Sequence, residues 1–388
     1  MSEFVPAVPQ AQAPKGQDIA SDPISGVGRM SQTRLTLLRF SRNRLAMFGV
    51  VCLGIMYLMI AAAGFLAPND YQRHNENYVY GPPSPMTFRG PNGKLGLQPY
   101  TYAIETSLNL EKMQFVFTID ETKLLPIRFF VHGDRYRLLG AIDTDIRLLG
   151  LDKPNRFYLM GADQFGRDMF ARLLYGGQIS LTVGWVGVIL TIIFGTIMGT
   201  ASGYLGGVVD DIMQRIIEVI MSFPTVPLWA ALAAALPPMS GTFTATHRYF
   251  LITVILSLIS WTGLARQLRA KVMSYRQADF TLAALAAGAS DKHVIFVHMI
   301  PNAMSHIIVV AALAIPSMIL GETALSFLGL GILPPAVSWG ALLRDAQQLS
   351  VILEHPWIMA PGVGVIIAVL LFSFLGDGLR DAVDPYSI

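Results

Sequence analysis

Six long apolar stretches, separated by segments rich in charged side chains, dominate the pattern of hydrophobic and polar positions. They span residues 45–67, 179–205, 216–236, 249–265, 302–330 and 357–376. Each is long enough to cross a bilayer, which takes about 20 mostly apolar residues, and only Glu218 and Glu322 bring a charge into any of them. Buried helices of a soluble protein rarely supply six such runs. The pattern therefore predicts an all-α polytopic membrane protein with six transmembrane helices.

Basic residues flank these stretches unevenly, and the bias predicts how the chain is oriented. Five arginines precede the first stretch, and five basic residues fall in the link between the fourth and fifth stretches. They are Arg29, Arg34, Arg39, Arg42 and Arg44, and Arg266, Arg269, Lys271, Arg276 and Lys292. Cytoplasmic segments carry the excess of Lys and Arg. The N-terminus, this link and, after six crossings, the C-terminus are all predicted inside.

The first stretch is interpreted as a permanent signal anchor. Forty-four residues precede it, and its 23 apolar residues exceed the core of a cleaved signal peptide, which has about 7–15. Residues 1–33 are rich in Pro, Ala, Gln, Gly and Ser, a composition typical of flexible segments. They are predicted to form a flexible tail.

The segment 68–158 is predicted to be a small extracytoplasmic, β-containing insertion between transmembrane helices 1 and 2. β-Branched and aromatic residues, which favour strands, are concentrated at 113–119, 127–131 and 136–139. The tripeptide at 132–134, His-Gly-Asp, indicates a hairpin turn between the last two strands. Two interpretations stay open: a decorated loop with no role of its own, or a contact surface for an extracytoplasmic partner.

Composition narrows the class of function. The 388 residues are 53% hydrophobic and 14% charged, with a formal net charge of +2. This argues against a disordered chain, and it gives no electrostatic basis for binding nucleic acid. Cys52 is the only cysteine, so the fold is no disulfide scaffold.

No common catalytic or nucleotide-binding motif occurs in the sequence. G-x-x-x-x-G-K-[ST], H-E-x-x-H and G-x-S-x-G are all missing, so we predict no phosphate loop for ATP and no hydrolase site. His293 and His298 are five residues apart, which does not bring both onto one helix face, and we assign them no metal. The chain is predicted to be no enzyme and to hold no cofactor.

The link between the fourth and fifth stretches carries the most informative local pattern. Residues 282–287 are rich in alanine, which favours a short helix, and Gly288 suits the left-handed residue that ends one. Ser290 or Asp291 can cap the next helix, predicted to begin near Lys292. This helix-turn-helix either enters a groove on another protein or packs only on its own membrane helices.

The same link resembles the EAA loop of bacterial ABC importer permeases. Small residues and a later Ile-Pro match its pattern, whereas Leu282 stands where that family has glutamate, so no role of the carboxylate is carried over. The resemblance implies that the link couples to an ATPase. Its predicted coupling residues are Asp279, Ala283, Ala284, Gly288, Asp291 and Pro301.

Further motifs resemble the C subunits of oligopeptide and dipeptide permeases, over residues 30–67 and 159–388. They lie at 161–168, 172–176, 203–210, 222–224, 321–331, 338–340 and 375–385. The insertion at 68–158 is longer than the family leads us to expect, and we interpret it as a mark of a subgroup.

The resemblance implies a half-channel in the bacterial inner membrane, surrounded by lipid. A second homologous permease subunit would complete the pathway for peptides or similar small solutes. Two ATPase subunits would bind from the cytoplasm, with the inner loop (276–298) docking on an ATPase, and an extracytoplasmic solute-binding protein would deliver cargo. The chain then divides into a cytoplasmic tail and basic flank (1–44), transmembrane helix 1 (45–67), the insertion (68–158) and the permease core (159–388).

The alternative function is a stand-alone secondary carrier or channel. The scarcity of charge inside the spans and the lack of an internal repeat count against it. Glu322 is the candidate pathway or gate residue, and a hydrogen-bonded structural role is its alternative. Glu218 is expected to pair with Arg215 or Arg266, and Arg167-Asp168 to fix the outer helix before the second stretch.

Overall fold

The structure is a computed structural model. It describes residues 32–91, 94–109, 114–138, 140–241 and 243–383. Most of the predicted flexible tail, including Arg29 of the basic flank, lies outside the described residues, and so does the end of the permease core at 384–388.

The described chain is mostly helical. Its helices are α1 (Gln32–Arg42), α2 (Arg44–Ala61), α3 (Ala63–Leu66), α4 (Met169–Leu205), α5 (Gly207–Met221), α6 (Thr225–Ala234), α7 (Ala245–Arg276), α8 (Asp279–Ala286), α9 (Asp291–His293), α10 (Ile300–Phe327), α11 (Trp339–Leu342), α12 (Leu349–Glu354) and α13 (Ala360–Val383). Among these residues, five helical segments are long and apolar enough to cross a membrane: α2, α4, α7, α9 with α10, and α13. The prediction of a polytopic membrane protein is confirmed.

The third predicted span is not one straight helix. α5 and α6 together are apolar enough for a sixth crossing, but they are bent by 84° around the tripeptide Ser-Phe-Pro at 222–224. Pro224 has no backbone N–H to donate into a continuing helix, and its ring disfavours helical geometry in the residue before it. The prediction of a single helix over 216–236 is therefore wrong, although its apolar residues do form helices.

α4 and α7 pack side by side and run in the same direction. Gly199 lies against Ala265 and, one turn on, Gly203 lies against Arg269. A Cβ atom would come within 2.6 Å of the Ala265 carbonyl oxygen at the first glycine, and within 2.7 Å of the Arg269 carbonyl oxygen at the second. Because no side chain fits there, the glycines allow the two backbones to approach closely.

The other long helices, α10, α13 and α2, pack around this pair. α10 runs antiparallel to α4, since Ser180 contacts Glu322 and Gly184 contacts Ile315. α13 packs against α10 on one side and against α2 on the other. Ala46 of α2 contacts Gly378 of α13. The side chain of Asn43 accepts a hydrogen bond from the Ala46 N–H and so caps α2. Their shared core contains Leu181, Leu256, Ile319 and Phe372, all buried.

Residues 86–150 form two small antiparallel sheets. One contains β1 (Met86–Arg89), β2 (Leu95–Asn109) and β3 (Gln114–Pro126) in chain order, and the other contains β4 (Arg128–Leu138) and β5 (Ile142–Gly150). Phe117 of β3 packs edge-on against Tyr78, which stacks on Tyr158 with ring centroids 4.4 Å apart. The aromatic cluster therefore fastens the first sheet to the segment that leads into α4.

The predicted hairpin turn at 132–134 is instead a bulge inside β4. The register between β4 and β5 shifts between His132 and Tyr136, and the chain turns later, around Gly140 at φ +72°. A bulge inserts extra residues into one strand of a pair without ending the strand. Within this bulge, Gly133 lies directly over the side chain of Arg147 on β5. Arg147 is buried and donates to the carbonyl oxygen of Ala67 at 2.7 Å, which ties this hairpin to the chain just after α3.

Candidate functional site

The inner loop folds as a helix, a tight turn and a second helix, as its sequence predicts. After α8 the chain reaches Gly288 at φ +82°, a conformation that glycine adopts without strain. The N–H groups of Gly288 and Ala289 donate to the carbonyl oxygens of Leu285 and Ala284, both at 3.0 Å. These two bonds satisfy the last carbonyls of α8 in a Schellman motif.

Ser290 begins the second arm of the loop. Its hydroxyl oxygen accepts a hydrogen bond from the N–H of His293 and caps α9, so of the two predicted caps the serine is the one used. A π-helical turn, Val294–Met299, then leads into α10. Pro301 lies in the first turn of α10, where proline is tolerated.

The loop is attached to the ends of the long helices by hydrogen bonds and by packing. The hydroxyl of Tyr204, near the end of α4, donates to Asp291 Oδ1 at 2.7 Å. The buried hydroxyl of Thr281 on α8 donates to the carbonyl oxygen of Tyr275 on α7 at 2.8 Å. Ala284 packs on a buried cluster of Tyr204, Val272, Val294 and Met299. These contacts connect the loop to α4, to α7 and to the turn that leads into α10.

The outward face of α8 is apolar. Leu282 is 53% exposed, Leu285 is 41% exposed and Phe280 is 37% exposed. Ala283 is exposed beside them, and Asp279 lies exposed in the first turn. Of the predicted coupling residues, Asp279, Ala283 and Ala284 thus lie on α8. The others follow it along the chain, Gly288 in the turn, Asp291 on α9 and Pro301 in the first turn of α10. Leu282, at the position where the EAA pattern has glutamate, enlarges the apolar surface of α8.

An ion pair beside the loop escaped the sequence-based predictions. Arg269 on α7 contacts Asp210 on α5 with two hydrogen bonds, Nε to Oδ1 and Nη2 to Oδ2, each 2.6 Å long. The hydroxyl of Ser202 on α4 donates to the same Oδ1 at 2.5 Å. Two-pronged arginine–carboxylate contacts are among the stronger hydrogen bonds in proteins, and this one joins three helices. The partners are 59 residues apart, so no local spacing links them.

Glu322 is buried where α4 and α10 meet. Its side chain has no exposed surface, and it accepts hydrogen bonds from Ser180 at Oε2 (2.9 Å) and Ser326 at Oε1 (2.6 Å). The Ser180 hydroxyl oxygen also accepts from the backbone N–H of Trp339 at 3.0 Å. Hydroxyl partners of this kind reduce the cost of burying a carboxyl group.

Asp168 caps the opposite end of α4. Its Oδ1 accepts from the N–H groups of Phe170 at 2.9 Å and Ala171 at 3.2 Å, and its Oδ2 accepts from the amide of Asn69 at 2.8 Å. Burial raises the pKa of Asp168 to about 6, and the hydrogen bonds oppose that rise. The expectation that this residue fixes the start of the helix agrees with its capping geometry.

A charged cluster surrounds this end of α4. Asp163 contacts Arg167 at 2.7 Å and lies 3.1 Å from Arg172. The amide of Gln164 donates to Asp345 at 2.7 Å. Burial and, to a smaller extent, the nearby Asp163 raise the pKa of Asp345 to about 6. The cluster therefore joins α4 to the turn that follows α11.

Glu218 pairs with Arg215, one of the two partners predicted for it. The distance is 3.0 Å and both side chains are largely exposed, so the pair adds little stability. Arg266 instead contacts the sulfur of Met221. Within the described ranges, no group of three or more His, Cys, Asp or Glu residues is arranged to hold a metal ion.

Comparison with known families agrees with this architecture. The sequence profile of the family described as binding-protein-dependent transport system inner membrane component matches residues 179–386, more than half of the chain. The chain belongs to this family. A second profile, the N-terminal transmembrane domain of oligopeptide transport permease C, matches residues 31–83 of the permease. The two matches lie on either side of the strands between Met86 and Gly150.

Several curated relatives of the permease are similar over about three fifths of its length. A dipeptide transport system permease protein from Alkalihalophilus pseudofirmus is 37% identical over 61% of this chain and 74% of its own length. An oligopeptide transport system permease protein from Haemophilus influenzae is 39% identical, with 63% and 75% covered. The oligopeptide transport system permease protein of Bacillus subtilis is 35% identical, with 61% and 75% covered. The family resemblance seen in the residues is confirmed, and it is one to permease subunits.

Proposed function

We propose that the permease is one membrane subunit of an ATP-binding-cassette importer for peptides or similar small solutes in the bacterial inner membrane. The observation that carries the proposal is the family match over residues 179–386, which contains the inner loop and the helices it joins. The names of the relatives supply the cargo class. A stand-alone carrier or channel is disfavoured, because the family is one that depends on a binding protein.

The proposed topology has six crossings with both termini in the cytoplasm. Since α4 and α7 run in the same direction, the chain at 206–244 has to return to the side where α4 began. Asp210 at the start of α5 lies beside the loop end of α7, and Trp229 of α6 reaches Gly321 nearer the opposite end. The broken pair is therefore the return crossing. The basic residues of the inner loop favour the cytoplasm for it.

Coupling to ATP is proposed to pass through α8. Its exposed apolar face, with Leu282 and Leu285 at the centre, suits a groove on one of two cytoplasmic ATPase subunits. The hydrogen bond of Thr281 and the packing of Ala284 on Tyr204 transmit its displacement to α7 and α4, and the bond from Tyr204 to Asp291 holds the second arm of the loop. Packed helices of this kind can switch between two arrangements. The permease has no phosphate loop of its own, so ATP hydrolysis belongs to the separate subunits.

The proposed division of labour follows the domains predicted from the sequence. A second homologous permease subunit completes the pathway, and the insertion at 68–158 is a contact surface for the solute-binding protein that delivers cargo. Glu322 has a structural role in this proposal. Its hydrogen bonds to Ser180 and Ser326 join α4 and α10, and its burial favours that role over one as a gate.

Reconstitution tests the function as a whole. The permease is coexpressed with candidate partner and ATPase subunits, purified and placed in liposomes, and uptake of a labelled oligopeptide is measured with the solute-binding protein present. Uptake that requires ATP, the binding protein and all subunits is the expected result. Ion-driven flux through the purified permease alone would instead support a secondary carrier.

Substitution on α8 tests the coupling role. Leu282→Asp and Leu285→Asp introduce charge into the proposed apolar contact, so they should abolish copurification of the ATPase while leaving the thermal unfolding of the permease unchanged. Leu97→Asp is the matched control, because Leu97 on β2 is 98% exposed and belongs to the insertion. If the α8 variants retain the ATPase as well as the control does, the assigned docking face is wrong.

A further inference from the structure

A cavity among α7, α10 and α13 plays no part in the proposed coupling contacts. Its volume is about 720 Å³, and it lies close to the ends of these helices at the inner-loop side. Three basic side chains line it, Lys271 from α7, His306 from α10 and Arg380 from α13. No carboxylate is among the described residues that line it, so the cavity favours an anionic ligand.

The polarity of the cavity changes along α10. Asn302 and His306 line it near the beginning of the helix, and Val310 and Leu313 line it further along. At a rise of about 1.5 Å per residue, the apolar part extends about 10 Å beyond His306 toward the middle of the bilayer. A ligand that fits this gradient has a polar, negatively charged end and an apolar tail.

The two side chains with a permanent positive charge in the cavity come from different helices, Lys271 from α7 and Arg380 from α13. Lys271 lies near the end of α7 and Arg380 lies in the last turn of α13, so both cations lie at the depth of lipid head groups.

We propose that this cavity is a binding site for an anionic phospholipid of the inner leaflet. The phosphate binds between Lys271 and Arg380, and one acyl chain lies along Val310 and Leu313. Basic pockets between transmembrane helices on the cytoplasmic side are suited to such head groups. The inference rests on the proposed orientation, in which these helix ends face the cytoplasm, and it adds a lipid ligand to the proposed importer.

Lipid binding to the full-length permease, purified with its copurifying subunits, tests the site. Native mass spectrometry compares phosphatidylglycerol with phosphatidylcholine of the same acyl chains. The wild type should bind the anionic lipid about tenfold more tightly, and Lys271→Gln combined with Arg380→Gln should remove most of that preference. The control is Arg266→Gln combined with Lys292→Gln, which removes two exposed bases outside the cavity and should keep the preference.

A second variant tests the apolar part and separates the possible ligands. Val310→Trp fills the cavity beside Leu313 and should weaken binding of both lipids, whereas soluble glycerol phosphate should not displace phosphatidylglycerol. The proposal is overturned by equal binding of the two lipids to the wild type, by equal losses in the two double variants, or by full displacement with glycerol phosphate. It is also overturned if the charge variant loses binding of cargo peptide but keeps its lipid preference. Intact copurification of the ATPase in these samples shows that the importer proposal stands independently.

Discussion

Tyr204 and Thr281 attach the inner loop to the membrane helices through single hydrogen bonds, at 2.7 Å and 2.8 Å. A hydrogen bond of this kind contributes about 0.5–1.5 kcal/mol net, which is small beside the packing of the long helices. Removing one of these hydrogen bonds should therefore leave the fold intact and weaken the attachment of the loop to α4 or α7. Asp210 and Arg269 form a stronger connection nearby, so the loop end of the bundle is held by several polar contacts.

Tyr204→Phe tests whether the loop drives α4. The variant keeps the aromatic ring in its buried cluster and loses the bond to Asp291, at a cost of about 1 kcal/mol. Uptake of peptide per ATP hydrolysed should fall about fivefold, with thermal unfolding nearly unchanged. The ratio is measured in proteoliposomes from uptake and phosphate release. Tyr249→Phe, which removes the 3.2 Å bond to Thr182 at the far end of α7, is the control, and an equal fall in both would contradict the prediction.

Asp168 makes stability depend on pH. Burial raises its pKa from 3.8 to about 6, so the folded protein holds this proton more tightly than the unfolded chain does. The resulting stabilisation is full below about pH 4 and is lost as the pH rises through about 6. Because Asp168→Asn does not titrate, its unfolding free energy relative to the wild type should increase by about 2 kcal/mol from pH 4 to pH 7.

Unfolding of the purified permease in detergent at the two pH values measures this effect. Asp211→Asn, which removes an exposed carboxylate from α5, controls for the loss of a negative charge in general. A difference between the Asp168→Asn variant and the wild type that stays constant with pH would show that the buried carboxyl does not titrate in this range.

At the scale of helices, the close contact of α4 with α7 and the break between α5 and α6 determine how the helices are arranged. Glycines on α4 let it pack directly against the backbone of α7, and this parallel pairing requires the chain between them to cross back. Pro224 ends helical geometry midway through that return, so α5 and α6 meet at 84°. The attachment of α5 to α7 through Asp210 therefore fixes α5 independently of α6.

Gly199→Ala tests the close approach of α4 and α7. The added Cβ would lie 2.6 Å from a backbone oxygen of α7, which cannot move aside as a side chain can, so the variant should unfold about 1–3 kcal/mol more easily. Gly263→Ala on α7 is the matched control, since a Cβ there meets nothing within 4 Å. Thermal unfolding in detergent compares the two variants, and a control as unstable as Gly199→Ala would contradict the prediction.

At the scale of the whole molecule, the proposed six crossings put the inner loop and the insertion on opposite sides of the membrane. The insertion is attached at one end of the helices through Arg147 and the Tyr78–Tyr158 stack, whereas the inner loop is attached at their other end. With five crossings and α5–α6 returning to its own side, the inner loop would face outward.

Cysteine labelling decides between these topologies. In a Cys52→Ser background, Ala287→Cys in the inner loop should react with a membrane-impermeant maleimide only after the cells are permeabilised. Leu97→Cys in β2 should react in spheroplasts without permeabilisation, and both positions are exposed. Labelling of the inner loop from outside would exclude the proposed orientation.

The sequence by itself determined the features that depend on residues close together along the chain. The lengths of the apolar runs predicted the membrane helices, and the alanine-rich run with Gly288 and Ser290 predicted the form of the inner loop. Spaced motifs identified the family. Local sequence alone was misleading at His132-Gly133-Asp134, which resembles a turn but lies in a strand. There the pairing with β5 and the contact with the side chain of Arg147 determine the backbone conformation.

Only the tertiary structure decided which distant residues meet. Asp210 finds Arg269 and Glu322 finds Ser180 across separations of 59 and 142 residues, and no periodicity encodes such pairs. The parallel packing of α4 and α7, the angle between α5 and α6 and the basic cavity also arise where separate helices come together. Local pattern determines which segments form helices, because it sets their propensity and their fit to the bilayer. Their arrangement is determined by side-chain packing and by satisfying buried polar groups, and both depend on the whole chain.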